Sequence, residues 1–114
     1  IDWQMAMRAP STTDLVYFIG TNLPTEMRRE MQDELIQRYV DGLVQGGVPS
    51  EWANVDKIVR GLTEGVLFYC TSFGASILTF DPANERGAAL MDSLVRRAFS
   101  AADDLSAGHV FGFA

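Results

Sequence analysis

Few side chains in this sequence are of the kinds that carry out chemistry. One histidine, His109, and one cysteine, Cys70, stand among 114 residues. A single thiol excludes an internal disulfide and a zinc site built on several thiolates. A dinuclear metal site in a helical bundle needs Glu-x-x-His pairs on facing helices, and one histidine near the C-terminus does not supply them. Glu26, Glu30 and Glu34 recur at every fourth position, but Arg28, Arg29 and Arg38 are interleaved with them. That pattern is a charge-balanced, solvated face and not a cation site. Cys70 falls on an apolar stripe, where a thiol is a small, inert hydrophobe. Gly42–Gly47 follows a helical pattern instead of a strand and lacks the Lys and Thr of a phosphate loop. No metal, cofactor or catalytic pair is expected, and the chain reads as something other than an enzyme.

Two features point to binding. The first is a set of bulky or soft groups: Trp3, Met5, Met7, Tyr17, Phe18, Met27, Met31, Tyr39, Trp52, Phe68, Tyr69 and Phe73. Aromatic rings leave irregular gaps, methionines adapt to varied shapes and tyrosine hydroxyls are polar handles. Such a set suits a pocket for a small apolar or aromatic effector, and it also suits plain core packing. Trp3, Met7, Tyr17, Phe18, Tyr39, Trp52, Tyr69 and Phe73 are the candidate ligand-binding residues. The second feature is a seam of Gly61, Gly65, Phe68 and Ser72, about 80° wide on a helical wheel. Glycine inside a helix costs about 0.5–1 kcal/mol against alanine, so two of them ask for a packing reason. The seam can admit a helix of the same chain or one from a second copy. A homodimer is the expectation adopted here, with Leu90, Met91, Leu94, Val95 and Phe99 of the final helix completing the interface as an isologous four-helix bundle.

The elements that would position these residues are all helices. Ile1–Met7 reads as the tail of a helix, with Trp3 and Met7 as i, i+4 partners. Asp14–Ile19 is a short helix capped by Ser11, Thr12 or Thr13. Thr25–Gln45 is a long helical stretch with a kink or break near residues 31–34, because Met27 and Met31 lie off the later stripe. Gly46-Gly47 stops it. A helix from about Asn54 to Phe73 follows, capped by Ser50 or Asn54, its second half covered all round. Asp81 and Pro82 open the last helix, which runs to about Phe99. Ala101–Ala114 is a tail. The fold class is an all-α bundle of four to five helices in a single domain spanning 1–114.

Composition agrees. Hydrophobic residues make up 47% and charged residues 21%, which excludes a disordered chain. The net charge of −6 disfavours binding to nucleic acid or anionic membranes. The longest uncharged stretch, Gly65–Phe80, is too short to cross a bilayer. With no signal peptide in view, a cytoplasmic location is expected. The chain opens on Ile1, so it is read as a processed product, an isolated domain or the ordered part of something longer.

The stretch GLVQGGVPSEWANVDKIVRGLTEGVLFYCTSFGASILTFDPANERGAALMDSLVRRAF, residues 42–99, resembles the C-terminal half of TetR-type transcriptional regulators. The similar elements are the Gly-Gly stop before a VP turn, the small-residue core VRGLTEGV and the amphipathic helix opened by DP. LPTEMRREMQDELIQRYVDGL looks like the preceding helix, so the likeness runs from about Leu15 to Phe99. The resemblance implies an effector-binding, dimerising half of a repressor, with operator DNA bound only through an N-terminal helix-turn-helix that this chain lacks. The alternative is a helical interaction or structural domain without a ligand.

Overall fold

The computed structural model describes residues 6–81 and 83–112, and among them there are helices and turns but no strand. Helix α1, Thr13–Val16, runs directly into a π-helical turn, Tyr17–Asn22. Thr21 is fully buried, and its hydroxyl donates to the Tyr17 carbonyl at 2.6 Å. Asn22 Nδ2 donates to the same carbonyl at 2.9 Å, and Arg97 donates to the Asn22 carbonyl at 3.0 Å. These bonds take up carbonyls that the wider turn leaves free. Gly20 of this turn faces Val66 and Ala101 at ordinary van der Waals distance.

Helix α2, Thr25–Gln45, begins behind Pro24 and is continuous. The expected break near residues 31–34 is absent. Met27 and Met31 are off the stripe because they face water, 46% and 39% exposed, and the helix needs no bend to bury them. It ends as the double glycine implies. Gly47 takes φ +89°, its N–H donates to Val44 O at 3.0 Å, and Val48 N–H donates to Leu43 O at 3.0 Å. This is the Schellman closure, which requires a left-handed residue at Gly47.

Helix α3, Val55–Ile77, is capped by Asn54, whose side-chain oxygen accepts from Lys57 N–H at 3.1 Å. It outruns its expected end at Phe73 because nothing stops it there. Its second half is not covered all round, since Phe68 is 63% and Ile77 49% exposed. Helix α4, Glu85–Asp104, starts later than expected: Asn84 is the cap, accepting from Gly87 N–H at 2.9 Å, while Asp81 accepts from Ala83 N–H in the preceding turn. Pro82 lies outside the described residues. The chain after Phe99 is not a tail through residue 112. α4 continues to Asp104, and a 3₁₀ turn, Ala107–Phe111, folds back so that Ala101 and Ala107 are fully buried. At the other end Ala6 and Met7 are not helical, and Ile1–Met5 lie outside the described residues.

The core is one cluster. Val16 and Ile19 enter from α1 and its π-turn, Ile36 and Val40 from α2, Ile58, Leu62 and Val66 from α3, and Ala101 from α4. α3 packs chiefly along α4, with α1 laid across α3. Among the described residues no helix is long and apolar enough to cross a membrane.

One charged side chain is buried with this core. Arg28 is 1% exposed, although the sequence pattern places it on a solvated face. Its guanidinium donates to the Asp104 carboxylate, to Gln32 Oε1 at 3.1 Å and to Ser100 Oγ at 3.4 Å. Arg29 adds Nε at 2.8 Å and Nη2 at 3.2 Å to the same carboxylate. Hydrogen bonds from Arg29 and then Arg28 hold the Asp104 carboxyl well below its ordinary value, at about 2. The pair ties the start of α2 to the end of α4. Asp104→Asn leaves Arg28 buried without a counter-ion and is expected to destabilise the fold by about 3 kcal/mol at pH 7. A depressed folded-state pKa stabilises above the unfolded value, near 4, and that stabilisation is lost as pH falls toward 2. Urea unfolding from pH 7 to pH 2 should therefore show the gap between native protein and variant narrowing below pH 4.

Candidate functional site

An apolar concavity runs between the segment leading into α1 and one face of α3. Met7, Ala9, Pro10, Thr12, Thr13 and Val16 form one wall; Gly61, Glu64, Gly65, Phe68 and Tyr69 form the other. Its volume is about 340 Å³. The groove exists because the two glycines let the first wall come close. A Cβ on Gly61 would meet Thr12 Oγ1 at 2.7 Å, and one on Gly65 would meet Val16 Cγ2 at 2.8 Å. Both neighbours are β-branched and buried, so neither side chain can swing aside.

An aromatic group backs the α3 wall. The Tyr69 ring lies 5.3 Å from Phe68, edge-on, 5.3 Å from Tyr17 and 5.7 Å from Phe73. Tyr69 donates to the Thr13 carbonyl over a long 3.5 Å. Burial, then the nearby Asp14 and Tyr17, push its hydroxyl pKa up, so it remains a neutral donor at pH 7. Glu64 accepts from Arg60 at 2.8 Å at the rim. The arrangement can hold a flat apolar body against rings and meet hydroxyl groups with Tyr69, Thr13 and Glu64. It contains no nucleophile paired with a base.

The structure divides the expected ligand residues. Met7 and Tyr69 line the groove, with Tyr17 and Phe73 stacked beside Tyr69. Phe18, 45% exposed, lies on the π-turn away from it. Tyr39 donates to the Ser11 carbonyl at 2.6 Å and fixes the approach to α1 instead. Trp52 is 64% exposed beside α3's start, where Lys57 sits 4.3 Å above its ring. Trp3 lies outside the described residues. Thr12, Pro10 and Glu64 were missed, because nothing in their types marks a wall made by chain crossing.

The expected dimer seam is also redistributed. Gly61 and Gly65 face Thr12 and Val16 of their own chain, so the packing reason they require is internal. Phe68 lines the groove and Ser72 is half-buried. On α4, Leu94 is buried in its own chain, Leu90 and Phe99 are exposed, and Met91 and Val95 line a cleft with Ile77 and Phe80.

Cys70 is buried, and burial pushes its thiol up, as an apolar stripe implies. It shares a second cavity of about 370 Å³ with Leu67, Phe99, Asp103 and His109. Among the described residues no three His, Cys, Asp or Glu side chains converge in a way that could hold a metal ion.

Residues 1–46 match the model of the ecdysteroid kinase-like family. The matched segment ends where α2 ends, and it contains the whole first wall of the groove. No curated protein and no solved structure matches the chain. This family match overturns the resemblance to TetR-type regulators, and with it the effector-sensing repressor, the transcriptional role and the expectation of a protein that is not an enzyme. The helices and turns that suggested TetR are generic: a glycine stop, a small-residue helix and an Asp-Pro turn occur wherever long helices pack closely. The small-residue core is spent on α1 within the chain.

The groove depends on the glycine approach, and that dependence is measurable. Gly65→Ala is expected to lose about 1–2 kcal/mol, overpacking against Val16 outweighing the helix-propensity gain. Gly74, also within α3, has nothing within 4 Å of where its Cβ would stand. Gly74→Ala should gain about 0.5–1 kcal/mol in the same chemical denaturation.

Proposed function

We propose that this chain forms the acceptor-binding side of a kinase-like phosphotransferase, its groove holding a largely apolar molecule with hydroxyl groups. The observation that carries this reading is the match of residues 1–46 to the ecdysteroid kinase-like family, because that segment builds one complete wall of the groove. An ecdysteroid is a hydroxylated steroid, with a rigid apolar ring system and polar groups on its edges. Phe68 and Tyr69 offer ring faces and edges to such a body. Tyr69, Thr13 and Glu64 offer hydrogen-bond partners to its hydroxyls.

The nucleotide half of the reaction is a different matter. Phosphoryl transfer uses metal-holding carboxylates and a cradle for phosphates. The described residues fit neither: they bring no three ligating side chains together, and Gly42–Gly47 is a helix stop without a lysine. No step through a metal-bound nucleotide is derived from them. The role assigned to these residues is to bind and orient the acceptor.

Equilibrium dialysis of the chain against an ecdysteroid tests the reading. Saturable binding at one molecule per chain is expected, weakened at least tenfold by Phe68→Ser, which costs about 1.4 kcal/mol of binding. Tyr69→Phe should weaken it about fivefold, as the loss of one hydrogen bond does. An absence of binding at millimolar ligand, or binding indifferent to Phe68→Ser, would overturn it.

A further inference from the structure

The first wall of the groove is held from outside itself by tyrosine hydroxyls. Residues 6–11 are all exposed, and Thr12 is the first to be seated, in the space that Gly61 leaves. The segment's own turn bond, Thr13 N–H to Pro10 O at 3.0 Å, shapes the wall but does not tie it to another helix. Among the described residues, two hydrogen bonds from other helices do. Tyr39 of α2 donates to Ser11 O at 2.6 Å. Tyr69 of α3 donates to Thr13 O at 3.5 Å, longer than hydroxyl bonds ordinarily are. The strong tie is therefore the one from Tyr39.

Tyr39 is itself well anchored. It packs against the core cluster, and the buried Ile36 and Val40 stand on either side of it along α2. Its hydroxyl is thus a fixed point from which the wall can be held. The ring does not line the groove, but the residue it holds sits between two that do: Ser11 lies between Pro10 and Thr12. The carbonyl of the segment is bound to α2 while the neighbouring side chains face α3. If the wall moves back, the groove becomes wider than a flat body. Only the fraction of chains with the wall in place then binds, and the apparent affinity falls by that fraction. Residues 1–46, matched to the kinase-like family, contain both the wall and the tyrosine that holds it.

We propose that Tyr39 is a positioning residue for the groove: its bond to the Ser11 carbonyl holds residues 10–13 at the spacing that a flat, largely apolar molecule needs, without touching that molecule. The two tyrosines then have separate roles. Tyr39 sets the wall, and Tyr69, only loosely bound to Thr13, is free to meet a ligand hydroxyl. This deepens the acceptor-binding reading and rests on it for the natural ligand, while the wall itself can be probed with any flat apolar molecule.

Fluorescence titration of the full chain with N-phenyl-1-naphthylamine, an uncharged flat aromatic whose emission reports the polarity around it, tests the proposal. The native chain is expected to bind the probe, and Phe68→Ser to weaken that binding about tenfold or more. Tyr39→Phe keeps the ring against the core and removes only the hydroxyl. It is expected to weaken binding about threefold to tenfold, in keeping with one hydrogen bond lost, and to move the bound probe's emission to longer wavelength as water enters beside it. Asn54→Ala removes the α3 cap, a comparable loss of stability, but lies outside the groove and should change neither affinity nor emission. If affinity or emission stays unchanged in Tyr39→Phe, the proposal is overturned. An equal loss of affinity in Asn54→Ala overturns it too, since the effect would then be one of stability alone. A probe that does not bind, or whose binding is indifferent to Phe68→Ser, shows that no such groove forms and overturns it as well. Should the probe behave as expected while an ecdysteroid fails to bind, the acceptor-binding reading falls and the positioning role of Tyr39 stands.

Discussion

The rest of this structure depends on how closely residues 12–16 lie against α3. Gly61 and Gly65 leave room that no other residue type would leave, and Thr12 and Val16 occupy it at distances where a Cβ would collide. That contact fixes the crossing of α1 over α3. The crossing sets both walls of the groove and places Tyr17 beside Tyr69. It also brings the π-turn down onto Val66 and Ala101, so that Ile19 and Thr21 are buried. Two glycines inside a helix sacrifice local propensity, and the tertiary approach they permit outweighs it.

A second constraint closes the other end. Arg28 reaches Asp104 across the start of α2 and the end of α4, with Gln32 and Ser100 completing its hydrogen bonds. A buried guanidinium is tolerated only when so paired. Between these two contacts the small core is held by α1 and its turn on one side and by α2 on the other. The α3–α4 hairpin has no such cover at its tip. The shape is therefore tight around residues 12–20, 36–40 and 94–107 and open beyond Cys70 and Leu94.

Much of the local structure was legible in the residues. The double glycine at 46–47 signals a left-handed stop, and Gly47 adopts it. Ser50 and Asn54 are both cap candidates, and Asn54 makes the capping bond. The helical class followed from the wheel patterns of α3 and α4. What was not legible has a common cause: the sequence says that something must approach a small-residue face without saying what. The expected short helix at Asp14–Ile19 is present as α1 and the start of its π-turn, but the run Leu15-Val16-Tyr17-Phe18-Ile19 is apolar throughout and does not say which face meets α3. The wheel pattern therefore points the seam at a second copy as readily as at α1, and the residue types alone do not separate Phe18, Tyr39 and Trp52, which lie away from the groove, from Met7 and Tyr69, which line it. Arg28 was invisible as a buried group because its partner lies 76 positions away. The TetR resemblance failed for the same reason, since it rested on the spacing of helices and stops and not on a contact particular to that family.

The identity of the chain that fills the glycine seam decides whether the groove is built as described. A mixture of isotopically labelled and unlabelled chains separates contacts within a chain from contacts between chains by filtered nuclear Overhauser spectroscopy. A seam filled from within the chain predicts cross-peaks between the Val16 methyls and the Gly65 Hα, and between Thr12 and Gly61, in the intrachain spectrum alone. The same cross-peaks appearing in the interchain spectrum, or in neither, would contradict it.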